Sequence, residues 1–233
     1  MPRLADLFPE VLDALTRHYG RPQATAIALD PFEALLRIPL DRMLDPKKVE
    51  AVIDVLREDG FLDPQILAEA DPSEVADSIR NGGLKVPDKA LLPLRKLAQW
   101  LVGLHQGDAD GLIGDDSEVS TAQLREELLG VNGIGPPTAD AILLLALQRP
   151  VYPLGRAAYR ILVRHGWTDT TADYDEAKDV AEHLAPGDSS TLKALAGWFE
   201  TIGTDFCRAA AAKCDKCPLR PFLPETGPID PNA

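Results

Sequence analysis

Several absences narrow the reading before any motif is considered. No run of eighteen apolar residues occurs in the 233 positions, so nothing reads as a membrane-spanning helix. Strand-like alternation of apolar and polar residues is missing at any length, which excludes a sheet protein. Cysteine is scarce: Cys207, Cys214 and Cys217 sit close together, too few and too clustered for a disulfide framework, and they suggest metal or iron–sulfur ligation instead. Positive charge is also short. The 24 Lys and Arg against 37 Asp and Glu leave a net charge of -13, and a tight, nonspecific grip on nucleic acid normally needs a basic surface. The opening MPRLADLFPEVLDALTRHYG carries acids in an amphipathic pattern and lacks the basic-then-apolar order of a signal peptide, so a soluble cytoplasmic protein is expected.

What is present is helical. Hydrophobic residues make up 45% of the chain, enough to bury one large core or two small ones. Leu4, Leu7, Val11, Leu12 and Leu15 share a face at helical spacing, and that helix should stop near Gly20 and Pro22. Asp30-Pro31, Pro46, Asp63-Pro64 and Asp71-Pro72 each mark a helix start. Asn81-Gly82-Gly83 breaks the chain, and Leu91 to Leu104 reads as a long apolar-faced helix. The acidic, glycine-rich stretch from Gly107 to Ser117 reads as an exposed loop; it lacks the glutamate that a calcium loop requires.

The most informative segment runs from Leu128 to Leu147, LLGVNGIGPPTADAILLLAL. Gly133 and Gly135 flank Ile134 in a turn where side chains would hold the backbone away from a ligand. The helix that follows begins with free amides and the positive end of its dipole, which suits a phosphate oxygen. From Gln148 to Trp167 the chain holds Arg149, Arg156, Arg160, Arg164 and His165 with no acid, which leaves two readings: a basic face beside the hairpin, or ordinary helix-surface arginines.

Leu128, Val131, Gly133, Ile134, Gly135, Thr138, Ala139, Ile142 and Leu143 match the helix-hairpin-helix of the endonuclease III and MutY group of DNA glycosylases, which this chain resembles. The resemblance continues in FCRAAAAKCDKCPL, where Cys207, Cys214 and Cys217 follow the spacing of that group's iron–sulfur loop. Asp30-Pro31-Phe32-Glu33 looks like its first barrel helix, and Gly83 to Leu101 like the helix before the hairpin. The resemblance implies an all-α, two-domain fold. Residues 24–145 would form a six-helix barrel domain ending in the hairpin, residues 1–23 with 146–225 a second helical domain, and 226–233 a tail. It further implies that a monomer binds double-stranded DNA at the nucleoid, in the cleft between the domains, with the target base turned out of the helix. Gly133, Ile134, Gly135, Thr138 and Arg156 would contact DNA, and Met43, in RIPLDRMLDP, stands near the position of the wedge that fills the vacated stack, with packing in the core as the other reading of its side chain.

The chemistry departs from the group. Its strand-cleaving members carry a lysine just after the hairpin, whose amine attacks the sugar; here that position is Pro137. The carboxylate that stabilises charge developing on the sugar falls on Gly155, and no Asp or Glu occurs from Arg149 through Trp167. Asp140, about one helical turn beyond Pro137, is the nearest candidate acid. Pro136 and Pro137 also remove two amides from the helix start. The fourth cysteine of the group's [4Fe–4S] site corresponds to Leu223. The cysteines then leave three readings: a three-thiolate cluster with an outside ligand, a zinc ion with three cysteines and one other group, or a lost site.

These residues imply an endonuclease III-like DNA-binding protein of base excision repair. No lyase activity is expected, and glycosylase activity should be weak, altered or lost. The alternative is an active monofunctional glycosylase that removes a labile, for example alkylated, base. A helical protein-interaction module is a third class, motivated only by the acidic charge.

Overall fold

The computed structural model describes residues 4–20, 30–114, 118–185, 187–210 and 212–230; the expected helix stop at Pro22, the 23/24 boundary and the end of the acidic loop lie outside them. Among the described residues there are helices and turns but no strand ladder, only one isolated bridge between Cys207 and Ala212. No helix of the described residues is long and apolar enough to cross a membrane. The helices, in order, are α1 (Leu4–Tyr19), α2 (Pro31–Asp41), α3 (Pro46–Glu58), α4 (Pro64–Glu69), α5 (Pro72–Asn81), α6 (Asp88–His105), α7 (Thr121–Leu129), α8 (Pro136–Ala141), α9 (Arg156–Arg164), α10 (Tyr174–His183) and α11 (Ser189–Asp205). A π-helical turn over Ile142–Ala146 continues α8.

One local device starts four consecutive helices. Asp30, Asp45, Asp63 and Asp71 each place a carboxylate oxygen on an amide of the first turn, and each is followed by a proline whose fixed φ and missing N–H suit that position. Asp71 completes a capping box with Glu74.

The chain divides into two compact units, Ile27–Arg149 and Met1–Ala26 with Pro150–Ala233. In the first, α2 is buried almost all round through Phe32, Leu35, Leu36, Ile38 and Leu40, and it packs against α3, α6 and α8. A helix so apolar can only be central. Its one buried acid, Glu33, is neutralised by Arg37 Nε at 2.9 Å and Arg57 Nη2 at 3.0 Å. Between α6 and α7, Glu127 accepts hydrogen bonds from Trp100 Nε1 and Gln123 Nε2 and lies 2.7 Å from His105 Nε2.

In the second unit α9 packs on α10 and α11. A Cβ at Gly203 would lie 2.4 Å from Ala157 Cβ, so α9 and α11 meet backbone to backbone at a crossing only glycine permits. Phe199 packs edge-on against the buried Tyr152. Part of the expected tail is tied down: the Ile229 amide donates to Arg164 O at 3.0 Å.

The expected basic face does not form as a unit. Arg149 is 1% exposed and donates to Leu112 O, Val119 O and Thr121 Oγ1; Arg164 and His165 are buried as well. A guanidinium's five donors can satisfy several loop carbonyls that no ladder pairs, and these arginines are used for that. Arg156 alone of the five is well exposed.

Candidate functional site

The hairpin joins α7 to α8. Leu128, Val131, Ile134, Ala139, Ile142 and Leu143 are buried and hold its two arms to the core, and the Ile134 amide closes the turn on Val131 O at 3.0 Å. Gly133 has φ +94°, and a Cβ there would also press on Pro93 Cγ at 3.0 Å, so glycine is required by the turn itself. Gly135 differs: its φ is −100°, a conformation open to any residue, and a Cβ would meet nothing within 4 Å. Open space is what its lack of a side chain supplies. Neither amide donates a hydrogen bond among the described residues. Pro136 and Pro137 offer none, and the first helical amide, Thr138 N, closes back on Gly135 O at 2.9 Å. Donors for an incoming anion therefore come from the hairpin, and the Thr138 side chain is largely buried.

Asp140 is fully buried and engaged by Arg125, with Nε to Oδ1 at 2.7 Å and Nη2 to Oδ2 at 3.3 Å. A carboxylate so enclosed joins α7 to α8 and has no path to a substrate. Met43 is 39% exposed in the turn after α2, so it is not core.

Gly155 is the N-cap of α9 and no side chain caps that helix; Arg156 follows at its first position, facing solvent. A Cβ on Gly155 would fall 2.6 Å from Oε1 of Glu200. Sequence reasoning missed Glu200, because it lies on α11, far along the chain from the glycine it faces. The only local signal was Gly203, the small residue that lets α11 approach.

Cys207, Cys214 and Cys217 line a common cavity with Arg164, His165, Phe206, Arg220 and Leu223. Its volume is about 10 Å³, room for about one water. Arg164 Nη1 lies 3.2 Å from Cys207 Sγ and donates to Arg208 O at 2.8 Å. Burial pushes the Cys217 thiol up to about 11, opposed by a bond to the Leu219 backbone and reinforced by the other two cysteines; burial raises Cys214 too. Among the described residues no three ligating side chains are arranged to hold a metal ion. Three thiols, a cavity of one water and a cation already on a sulfur do not fit a four-iron cube.

No family model matches the chain. Individual proteins do. A Methanocaldococcus jannaschii protein named as a DNA repair glycosylase is 29% identical over 191 residues, covering 82% of this chain and 84% of that one. Endonuclease III of Thermotoga maritima is 24% identical over 191 residues, covering 82% and 81%. Its homologues are endonuclease III-type DNA glycosylases. The fold agrees: a solved covalent intermediate of endonuclease III with DNA superposes with a TM-score of 0.68 over 98% of this chain and 97% of that one, at 19% identity. Within this endonuclease III-like chain, the hairpin leaves two amides open, position 155 faces Glu200, and the cysteine cavity holds three thiols beside a guanidinium.

Proposed function

We propose that this endonuclease III-like protein is a monofunctional DNA glycosylase, acting as a monomer on distorted duplex DNA at the nucleoid and releasing a labile base without cutting the strand. The hairpin carries the reading: Gly133 and Gly135 hold two unengaged amides on an exposed turn, in the manner of a phosphate grip. With net charge -13 and a single well-exposed arginine in the expected basic run, binding is weak and falls steeply with salt. Pro137 removes the amine that a lyase step at that position needs. A base that leaves as a neutral molecule, as a cationic N-alkylated purine does, requires the least help, and that defines the substrate class.

Gly155 favours a second reading, a catalytically silent relative that binds damaged DNA. One assay separates the two. Duplexes containing an alkylated purine, uracil, an oxidised pyrimidine or a mismatched adenine are incubated with the protein, then developed with and without alkali. Free base with strand breaks only after alkali supports the monofunctional reading. Binding with no base released from any duplex leaves the silent binder. Strand breaks before alkali, with a borohydride-trapped adduct, overturn the claim that lyase chemistry is gone.

A further inference from the structure

We infer that Glu200, delivered from α11, supplies the carboxylate that position 155 lacks and acts as the catalytic carboxylate of base release. The inference rests on the glycosylase reading above and names the group that serves it.

Three observations converge on Glu200. The space that a side chain at Gly155 would enter holds one neighbour: Glu200 Oε1 lies 2.6 Å and Cδ 3.8 Å from the Cβ position, with nothing else within 4 Å. The placement is built in. Gly203, one turn further along α11, crosses α9 against Ala157, and Phe199 and Ile202 are fully buried, so the register of α11 aims Glu200 at the start of α9. Finally, the carboxylate is exposed and makes no hydrogen bond or ion pair among the described residues. Burial, with the nearby charge of Glu200 added, raises the Tyr152 hydroxyl above its ordinary value, which keeps a neutral phenol beside the carboxylate.

The step is balanced as follows. The bond from the sugar C1′ to the base nitrogen breaks, and its electron pair leaves with the base; a cationic alkylated purine departs neutral. The carboxylate stabilises the positive charge that appears on the sugar ring. A water oxygen then bonds to C1′, its proton passes to the Glu200 carboxylate and on to solvent, and a 1′-hydroxyl abasic site remains.

Two measurements on the full chain test this. Glu200→Gln should lower base release about a hundredfold, and the double variant Gly155→Asp with Glu200→Gln should recover part of it, because a carboxylate returns to the same space. Independently of turnover, the unaltered protein should bind a duplex carrying a cationic pyrrolidine in place of one deoxyribose about tenfold more tightly than its neutral tetrahydrofuran counterpart. Glu200→Gln should erase that preference and leave the tetrahydrofuran affinity unchanged. If base is released and Glu200→Gln releases it equally well, Glu200 is not the carboxylate although the glycosylase reading stands. If no base is released by the unaltered protein, the glycosylase reading falls, and the pyrrolidine preference alone decides whether Glu200 faces the sugar; its absence, or its survival in Glu200→Gln, overturns the inference. Because Glu200 is exposed, melting curves should match, and Glu200→Asp provides a second variant that keeps the charge and shortens its reach.

Discussion

Arg164 Nη1 sits 3.2 Å from Cys207 Sγ and at the same time ties the carbonyls of Arg208 and Ala209. A guanidinium in this position does mechanically what a cluster does in an iron–sulfur loop: it gathers a segment without regular structure around a central group. The protein should therefore purify colourless, with no iron or zinc by elemental analysis. Arg164→Ala should lower stability by about 2–3 kcal/mol in denaturant titrations, since it strands buried carbonyls. Bound iron in stoichiometric amount, lost together with fold on chelation, would contradict this.

The two hairpin glycines should separate cleanly on mutation. Gly133→Ala forces a side chain into φ +94° against Pro93 and should cost about 1–3 kcal/mol in stability. Gly135→Val has room and an ordinary backbone, so melting should scarcely change, while DNA affinity drops because the added methyls fill the open space beside the Gly135 amide. Equal DNA affinity for a folded Gly135→Val protein would remove the hairpin from the binding surface.

The sequence revealed what depends on neighbours along the chain. The Asp-Pro helix starts, the helical period, the break at Asn81-Gly82-Gly83 and the glycine turn are local devices, and the structure has them at or close to the expected residues. It hid what depends on distant partners. The five basic residues after Gln148 look alike in a row, yet Arg149 serves the carbonyls of Leu112 and Val119 and Arg164 serves the cysteine loop, because each faces a different unpaired backbone group. Glu200 was invisible for the same reason: counting along the chain from Gly155 finds no acid, whereas crossing from α9 to α11 at Gly203 does.

Asp140 illustrates the difference between an acid near a site and an acid in it. Its carboxylate is 0% exposed and its partner Arg125 is itself mostly covered. Asp140→Ala removes the buried carboxylate of this pair and should destabilise the protein by about 3–5 kcal/mol. Base release per folded molecule should hold. Loss of release in a variant whose melting temperature is unchanged would instead restore Asp140 as a candidate.

Acid should unfold this protein in two stages, and the signs follow from its titrating groups. His165 is pushed below its usual value, chiefly by burial, against bonds to Ile161 O and Leu219 O, so the folded form keeps it neutral while the unfolded chain takes up a proton at about pH 6.5. Stability therefore declines as pH falls through that range. The second stage comes from carboxylates held low in the folded state. Asp45 and Asp71 are lowered by hydrogen bonds from Lys48 and Ser73; Asp188 is lowered by Thr191 and Ser190, and Glu127 is lowered on balance, burial being outweighed by Gln123, His105 and Trp100. Their contribution is complete above the unfolded value of about 4 and is lost as pH drops through the lower folded values. Denaturant midpoints measured from pH 7 down to pH 3 should fall gently first and then steeply, and His165→Asn should flatten the first stage only. A midpoint that rises on acidification would show that relief of the net charge of -13 outweighs both sets of groups.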